Sequence, residues 1–488
     1  MPKVKESNPV STFEGLDLTD EQINILELVK TGKSLKVNAF AGTGKSFLLR
    51  AISCLALSEK KGLYVAFNKA IVTEATDSFP HHVMCKTSHS IAYASVGKKY
   101  NKAGRMKGML NGIYLAKNFF DSKSLILKMK PVDFCSIALS AIKCFCLTSD
   151  EELESQHIDA SLLKIVDESL RAEYLESLLY FSQSIWKEFL DPESSIPITH
   201  DIYFKIWALK KPKLKYDFIL VDEAQDQNKV LIDVLQNQKK CQIIWVGDKY
   251  QQIYQWRGAT NALDIVMTEY TSQLTKSFRF GEPIAALASK ILNTHFGCDI
   301  KIEGNSSNVS AISSEFQPDI VICRTNLVVI SEAIYQTKNN LKVHVIGGIG
   351  ELNTLLQAAQ NLLNGRKTHH PDLSEYDNWE EVRKSSKKEN GKHLSLLISL
   401  VDKYTIPYLL ILLSEVSLID ENKADIIISN VHKSKGRQWD IVKISNDFKG
   451  KNHNYYSDED GNLLYVAITR AKVVVDISEC SALSDFWA

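Results

Sequence analysis

An apolar stretch over 35–40 runs into Ala39-Phe40-Ala41-Gly42-Thr43-Gly44-Lys45-Ser46, after which the pattern turns helical. No other feature constrains the fold as tightly. A strand, a Gly-rich turn and a helix that opens on Lys-Ser together make a phosphate cradle. The glycines let backbone N–H groups curl around an anion, and the helix N-terminus adds partial positive charge. In that setting Lys45 reaches the β- and γ-phosphates of a nucleotide and the Ser46 hydroxyl holds Mg2+. The general spacing begins with Gly, where this chain has Ala39. Taken alone, the segment also fits a chance Gly-rich turn.

A second segment changes the balance. Phe218-Ile219-Leu220-Val221 is an apolar strand that ends in Asp222-Glu223-Ala224-Gln225-Asp226. A carboxylate at the C-terminal end of a strand is placed to bind the Mg2+ shell, which suits Asp222. Glu223 beside it is placed to polarise an attacking water as general base. An acidic strand end by itself is more often a solvated turn. Combined with Lys45 and Ser46, it points to ATP hydrolysis with Mg2+.

The surrounding pattern is that of parallel sheets covered by helices. Short apolar strands are expected at 35–40, 63–67, 217–221 and 242–246, and again at 320–323, 343–346, 426–429, 441–444 and 473–477, with helical stretches between them. The strand signal fades from 97 to about 201, where the chain is rich in Leu, Lys and Glu with helical periodicity around 161–190. A second interruption covers 350–423, and its polar run 383–392 reads as a solvated loop or linker. The expected division is a flexible tail (1–15), a first α/β domain (16–97 with 201–275) and its helical insertion (98–200). A second α/β domain (276–349 with 424–488) and its small insertion (350–423) complete it.

Charge narrows the partners. The 488 residues carry 58 basic and 58 acidic side chains, so no global field attracts nucleic acid and local basic strips must do so. Lys98, Lys99, Lys102, Arg105 and Lys107 form one such cluster, either against a phosphate backbone or as a solvated face. Nine scattered cysteines include no C-x-x-C pair with zinc spacing. They read as reduced, mostly buried thiols of a cytoplasmic, prokaryotic protein, with a nuclear setting left open. No apolar run approaches the roughly 18 residues of a membrane span, and residues 1–10 lack a signal-peptide core, so no membrane partner is expected.

The motif forms and their order resemble the UvrD/Rep/PcrA-like superfamily 1 DNA helicases over most of the chain, from about Leu18 to Lys472. Leu18-Thr19-Asp20-Glu21-Gln22 is similar to that family's adenine-reading Q motif. Val246-Gly247-Asp248-Lys249-Tyr250-Gln251-Gln252-Ile253-Tyr254-Gln255-Trp256-Arg257-Gly258-Ala259 resembles its motif III and is the most specific match. Ser277-Phe278-Arg279, Val431-His432-Lys433-Ser434-Lys435-Gly436 and Leu464-Tyr465-Val466-Ala467-Ile468-Thr469-Arg470-Ala471-Lys472 resemble motifs IV, V and VI. Tyr64-Val65-Ala66-Phe67-Asn68-Lys69, Cys85-Lys86-Thr87-Ser88-His89-Ser90, Ile346-Gly347-Gly348 and Asn462-Leu463-Leu464-Tyr465 look closest to the F-box DNA helicase branch. Too few residues precede Gln22 for an F-box, so the ubiquitin-ligase role of that branch is not carried over. The chain ends soon after motif VI, and no nuclease domain is expected.

The resemblance implies two RecA-like parallel-sheet P-loop NTPase domains, each interrupted by a mostly helical insertion, with ATP between them. It implies that Gln22 bonds the adenine edge and Phe278 stacks on its face, although a buried Phe is the plainer alternative. Ala41, Gly42, Thr43, Gly44, Lys45 and Ser46 would hold the phosphates, and Ser46 and Asp222 the metal. Gln251 would sense the γ-phosphate, Glu223 act as base, and Arg279 and Arg470 serve as arginine fingers rather than surface ion-pair formers. For DNA it implies phosphate contacts from Thr87, His89, Asn430 and His432, a DNA contact at Asn68, and base stacking on Phe67, Tyr254, Trp256 and Arg257; core packing remains open for Tyr254 and Trp256. Two positions depart from the family pattern. Gln438 stands where a carboxylate near the nucleotide ribose is usual, and Phe47 replaces an Arg beside the phosphate loop. The implied activity is ATP-dependent 3′→5′ translocation on single-stranded DNA and unwinding of tailed duplex, in repair, recombination or defence. The competing reading is a DNA-sensing ATPase subunit that regulates a protein partner, such as a nuclease, in an antiviral complex. An RNA motor is a further option.

Overall fold

The computed structural model describes residues 11–121, 126, 129–163, 168–255, 258–368, 370, 372–387, 394–449 and 457–486. Its contacts separate two compact units. One runs to Ala39 and resumes over Lys45–Leu274; the other comprises Phe40–Gly44 and the chain from Thr275 onward.

The first unit is built on six parallel strands: β1 (Leu35–Ala39), β2 (Gly62–Ala66), β3 (Val83–Thr87), β4 (Phe218–Val221), β5 (Gln242–Gly247) and β6 (Tyr270–Leu274). They are ordered β6-β1-β5-β4-β2-β3. Every residue of β2, β4 and β5 is buried, because interior strands of a parallel sheet are covered on both faces. Alternate side chains divide between two cores. Tyr64, Leu220, Ile244 and Val246 pack with Leu18, Ile25 and Leu48. Leu63, Val65, Ile219, Val221 and Trp245 pack with Phe145, Trp186 and Phe204. Those last three belong to the helices Pro131–Leu147, Arg171–Leu190 and His200–Leu209. The helices between β3 and β4 therefore share a core with one sheet face. The periodicity at 161–190 resolves into short 3₁₀ turns and a helix that starts only at Arg171.

The second unit carries β7 (Ala311–Ile312), β8 (Ile320–Cys323), β9 (Val343–Val345), β10 (Ile426–Asn430), β11 (Trp439–Ile444) and β12 (Ala471–Asp476). The order is β7-β12-β11-β8-β10-β9, again parallel. Two six-stranded parallel sheets make the α/β, RecA-like class that the sequence implies. Helices Gly350–Leu363, Trp379–Ser386, Ser395–Lys403 and Ile406–Ser417 pack Leu356, Trp379, Leu397 and Leu409 against Val321, Val345 and Ile428 of the sheet. The solvated-loop reading of 383–392 is corrected in its first part. Arg383 lies in the last turn of a helix and holds Asp402 through both guanidinium nitrogens; residues 388–392 lie outside the described residues. Three edge strands, β3, β6 and β7, were not expected. The side chains of β3 and β6 alternate between exposed and buried, so they lack the continuous apolar run of the central strands. No single helix among the described residues is long and apolar enough to cross a membrane.

Candidate functional site

The phosphate loop turns tightly between β1 and the helix Lys45–Ala51. Gly42 and Gly44 take φ of +77° and +81°, a region that β-carbon-bearing residues avoid. Thr43 closes the turn by donating its hydroxyl to the Phe40 carbonyl at 2.8 Å. Lys45 begins the helix, with Ser46 exposed beside it.

β4 delivers the acidic pair. Asp222 is buried; its carboxylate accepts from the Tyr64 phenol at 2.6 Å and from the Glu223 amide at 2.8 Å. Burial and the neighbouring Glu223 carboxylate push the Asp222 carboxyl upward, against the pull of Tyr64 and Lys45. Burial and Asp222 in turn hold the Tyr64 phenol well above its usual range. Glu223 sits in the left-handed region (φ +46°), rare for a side chain of this kind and a known form of stored strain at functional sites. Its carboxylate meets Lys45 Nζ at 3.7 Å and accepts from Gln225 Nε2. Gln225 is fully buried and passes the link on: its Oε1 accepts from the Asp248 amide at 3.1 Å. Asp248 Oδ2 accepts from Gln251 Nε2 at 2.8 Å. Glu223, Gln225, Asp248 and Gln251 thus form one hydrogen-bonded chain across the ends of β4 and β5, which an ion pair extends to Lys45. Tyr64, Gln225 and Asp248 had been given no role from sequence; each stands inside a motif already quoted, which is the signal that was available.

Gln22 is held by a capping box. The Thr19 hydroxyl accepts from the Gln22 amide, while Gln22 Oε1 accepts from the Thr19 amide at 3.0 Å. Gln22 Nε2 is buried and has no hydrogen-bond partner among the described residues. A buried donor left open is unfavourable by itself and suits a ligand acceptor. The lysine, the acidic pair and this open donor fit a nucleoside triphosphate with its metal. Phe47 packs edge-on against Phe13 at 5.3 Å, and the Arg50 guanidinium holds the Glu14 carboxylate at 2.9 and 2.8 Å.

Within the second unit Ala41 donates its amide to the Tyr465 phenol oxygen at 3.0 Å, and the Phe278 amide donates to the Gly42 carbonyl at 2.8 Å. The Phe278 ring is 43% exposed, which corrects the buried-Phe alternative. Arg279 donates to the Thr469 carbonyl at 2.7 Å. Arg470 is buried and donates to Val466, Arg437 and Thr469 oxygens. Gln438 is exposed on the segment that enters β11.

The residues expected to touch phosphates, with Asn68, sit where parallel strands hand over to helices. Asn68 follows β2, Thr87 ends β3 and Asn430 ends β10, and each caps the next helix by accepting a backbone N–H. Asn430 also donates to Asn326 Oδ1 at 2.8 Å, and Thr325 caps its own helix in the same way. Thr325 and Asn326 had not been singled out; the apolar run 320–323 just before them was the signal. His89 stacks on Phe204 (4.8 Å) and pairs with Asp201 at 3.2 Å, and this hydrogen bond holds the Asp201 carboxyl below its usual range. His432 is half-buried in the helix Val431–Ser434. Phe67 and Tyr254 stack on each other, centroids 5.4 Å apart and planes within 12°, so Tyr254 is a surface partner of Phe67 rather than core filler. Trp256 and Arg257 lie outside the described residues.

A further expectation is overturned. Arg105 does not belong to a phosphate-facing strip: it is buried, and its guanidinium donates to the Glu188 and Asp191 carbonyls at the end of the helix Arg171–Leu190 and to the Ile196 carbonyl beyond it. A helix C-terminus leaves carbonyls without partners, and a buried cation satisfies them. Lys98, Lys99, Lys102 and Lys107 remain exposed.

Residues 18–265 match the model of the UvrD/REP helicase N-terminal domain, and residues 425–475 that of the UvrD-like helicase C-terminal domain. The chain is similar to F-box DNA helicase 1 of Gallus gallus, 30% identical over 96% of this chain and 50% of that protein. It is likewise similar to F-box DNA helicase protein 1 of Schizosaccharomyces pombe, 31% identical over 93% of this chain and 56% of that one. A shorter likeness, 32% over 18% of the chain and 13% of the relative, reaches a probable DNA helicase II homolog of Mycoplasma pneumoniae. The chain spans about half the length of the first two relatives.

Proposed function

This chain belongs to the UvrD/Rep helicase family, and from that premise we propose that it is an ATP-driven motor that moves 3′→5′ along single-stranded DNA and opens tailed duplex. The observation that carries the reading is the linked set Lys45, Glu223, Gln225, Asp248 and Gln251, which ties a phosphate-binding lysine to a base and to a sensor. Gln22 offers its open Nε2 donor to the adenine edge, and the exposed Phe278 ring supplies a stacking face. The turn Ala41-Gly42-Thr43-Gly44 and Lys45 hold the phosphates. Ser46 and Asp222 would hold Mg2+, which neutralises developing charge on the phosphate oxygens. Glu223 takes the proton of the attacking water. Arg279 and Arg470 stabilise the transferring phosphoryl group, and Gln438 replaces a carboxylate beside the ribose.

Asn68, Thr87, His89, Asn430 and His432 grip the backbone of the strand. Phe67 and Tyr254, with Trp256 and Arg257, stack on bases, a contact indifferent to sequence and therefore suited to a motor. Residues 98–200 and 350–423 act as the two insertions of such a motor. Repair, recombination and defence each present the single strands on which it would load.

The test is steady-state ATP hydrolysis with and without single-stranded DNA, for the wild-type chain and Glu223→Gln. Stimulation by DNA that disappears in the variant is the expected result, followed by preferential opening of duplexes with a 3′ tail. Hydrolysis indifferent to DNA sinks the motor, and preference for a 5′ tail sinks the polarity.

A further inference from the structure

We propose that Tyr465 is a positioning residue that joins the phosphate loop to both arginines of the second unit, so that the placement of the loop sets theirs. The proposal rests on the nucleotide site described above and adds a hydrogen-bonded link between its motifs.

The loop residues of this unit are held from three sides. Ala41 and Tyr465 are both fully buried, and the Ala41 amide donates to the phenol oxygen at 3.0 Å. The Gly42 carbonyl accepts from the Phe278 amide at 2.8 Å. A β-carbon on Gly42 would stand 2.4 Å from Ser277 Oγ and 2.7 Å from Arg279 Cβ, so the approach is open to glycine alone. The loop is therefore in close packing contact with the segment that carries Arg279.

From Tyr465 the path continues along its own helix, Asp458–Ile468. The Thr469 hydroxyl donates to the Tyr465 carbonyl at 2.8 Å. The same hydroxyl accepts from Arg470 Nη2 at 3.2 Å, and the Thr469 carbonyl accepts from Arg279 Nη1 at 2.7 Å. Arg470 Nε is fixed on the Val466 carbonyl, one residue beyond Tyr465. Ala41, Tyr465, Thr469, Arg279 and Arg470 thus form one hydrogen-bonded body without a solvent-exposed gap at Ala41 or Tyr465. Removing the phenol oxygen leaves a buried N–H with no acceptor, and the penalty falls on the arrangement in which loop and arginines move together. It does not fall on the adenine contact at Gln22 or on Lys45. Loss of Tyr465's hydroxyl consequently shows in turnover, where the arginines act, and leaves nucleotide affinity in place.

The experiment compares DNA-stimulated hydrolysis by the wild-type chain, Tyr465→Phe and Thr469→Val across ATP concentrations. Tyr465→Phe is expected to lower kcat about 5- to 100-fold while KM for ATP stays within about threefold. Thr469→Val, which keeps the side-chain shape and removes the hydroxyl between Tyr465 and Arg470 while leaving the Arg279 contact to the main chain, is expected to fall in the same direction with the same split. It decides the matter alone if Tyr465→Phe does not fold. Wild-type kcat in either folded variant, or a loss confined to KM, overturns the link while leaving the motor intact. A wild-type chain that hydrolyses no ATP overturns both.

Discussion

Gln225→Glu replaces one atom in a buried network and turns a donor into a charge. In the wild-type chain Gln225 Nε2 donates to the Glu223 carboxylate, and its Oε1 accepts the Asp248 amide. The new carboxylate keeps the second contact and faces Glu223 with a like charge. Two such charges ~3 Å apart repel by about 5 kcal/mol at an effective dielectric near 20. The Glu223 side chain is 21% exposed, and screening there leaves roughly half of that repulsion, or about 2 pKa units. Position 225 is fully buried, and desolvation of a carboxyl there adds about 1–2 units more. The pair then gives up its second proton at about pH 8. The sign follows directly: a raised carboxyl pKa keeps the proton bound below it, so the base form of Glu223 is scarce at neutrality and returns as pH rises. At pH 7 about one molecule in ten has both groups ionised, and kcat is expected to drop about tenfold, recovering as pH approaches 9. The assay is DNA-stimulated ATP hydrolysis from pH 6 to 9.5 beside Gln225→Leu, which loses the contact without adding a charge and is expected to fall at every pH. A Gln225→Glu profile that tracks the wild type, or a loss equal at pH 6.5 and pH 9, refutes the reasoning.

Other expectations concern the scaffold and the track. Burial lowers the Lys205 ammonium to about 8, although the Thr148 and Asp150 carbonyls at 2.7 and 2.6 Å favour the charged form. A lysine whose folded pKa lies below its unfolded one makes the unfolded chain the better proton binder between those values. Stability should therefore rise from pH 8 to pH 10 by up to about 1.4 kcal/mol per pH unit, and this component should vanish in Lys205→Met when urea unfolding of the two chains is compared. Arg105→Gln should lower the unfolding midpoint and leave the salt dependence of DNA binding unchanged, since its guanidinium is occupied with main-chain carbonyls. Lys99→Gln, at an exposed position, should reduce the salt slope by about one if that lysine touches phosphate, read by fluorescence anisotropy over a salt series. Phe67→Ala removes half of the Phe67–Tyr254 stack and should weaken single-strand binding by about 1–3 kcal/mol while hydrolysis without DNA is unaltered.

The parts of the site that were legible in sequence are those whose partners lie a few residues apart. Lys45 and Ser46 open a helix straight after a glycine turn, and Asp222 and Glu223 close an apolar strand; each is a local arrangement that a short window displays. The ties between them are not local. Tyr64 reaches Asp222, 158 positions along the chain, because β2 and β4 pair in parallel with Tyr64 beside Leu220. Gln225 meets Asp248 only because β4 and β5 are neighbours. Arg105 shows the opposite failure. In one dimension it stands among lysines and shares their charge, while burial against the end of Arg171–Leu190 is decided by packing. The central strands were visible as unbroken apolar runs, whereas β3 and β6, half wetted at the sheet edges, were not.

The helix caps at the strand ends determine what kind of atom can be gripped there. Asn68 and Asn430 commit their side-chain oxygens to the Ile71 and Lys433 amides, and Thr87 commits its oxygen to Ser90. Each cap still carries an N–H or O–H, one of the Asn430 Nδ2 hydrogens being held by Asn326. Donors of that kind pair with acceptors, and phosphate oxygens recur identically at every nucleotide whatever the base. If a strand is gripped at these caps as proposed, each cap meets the same surface after every advance, so every position offers an equal hold and none is a place to stop.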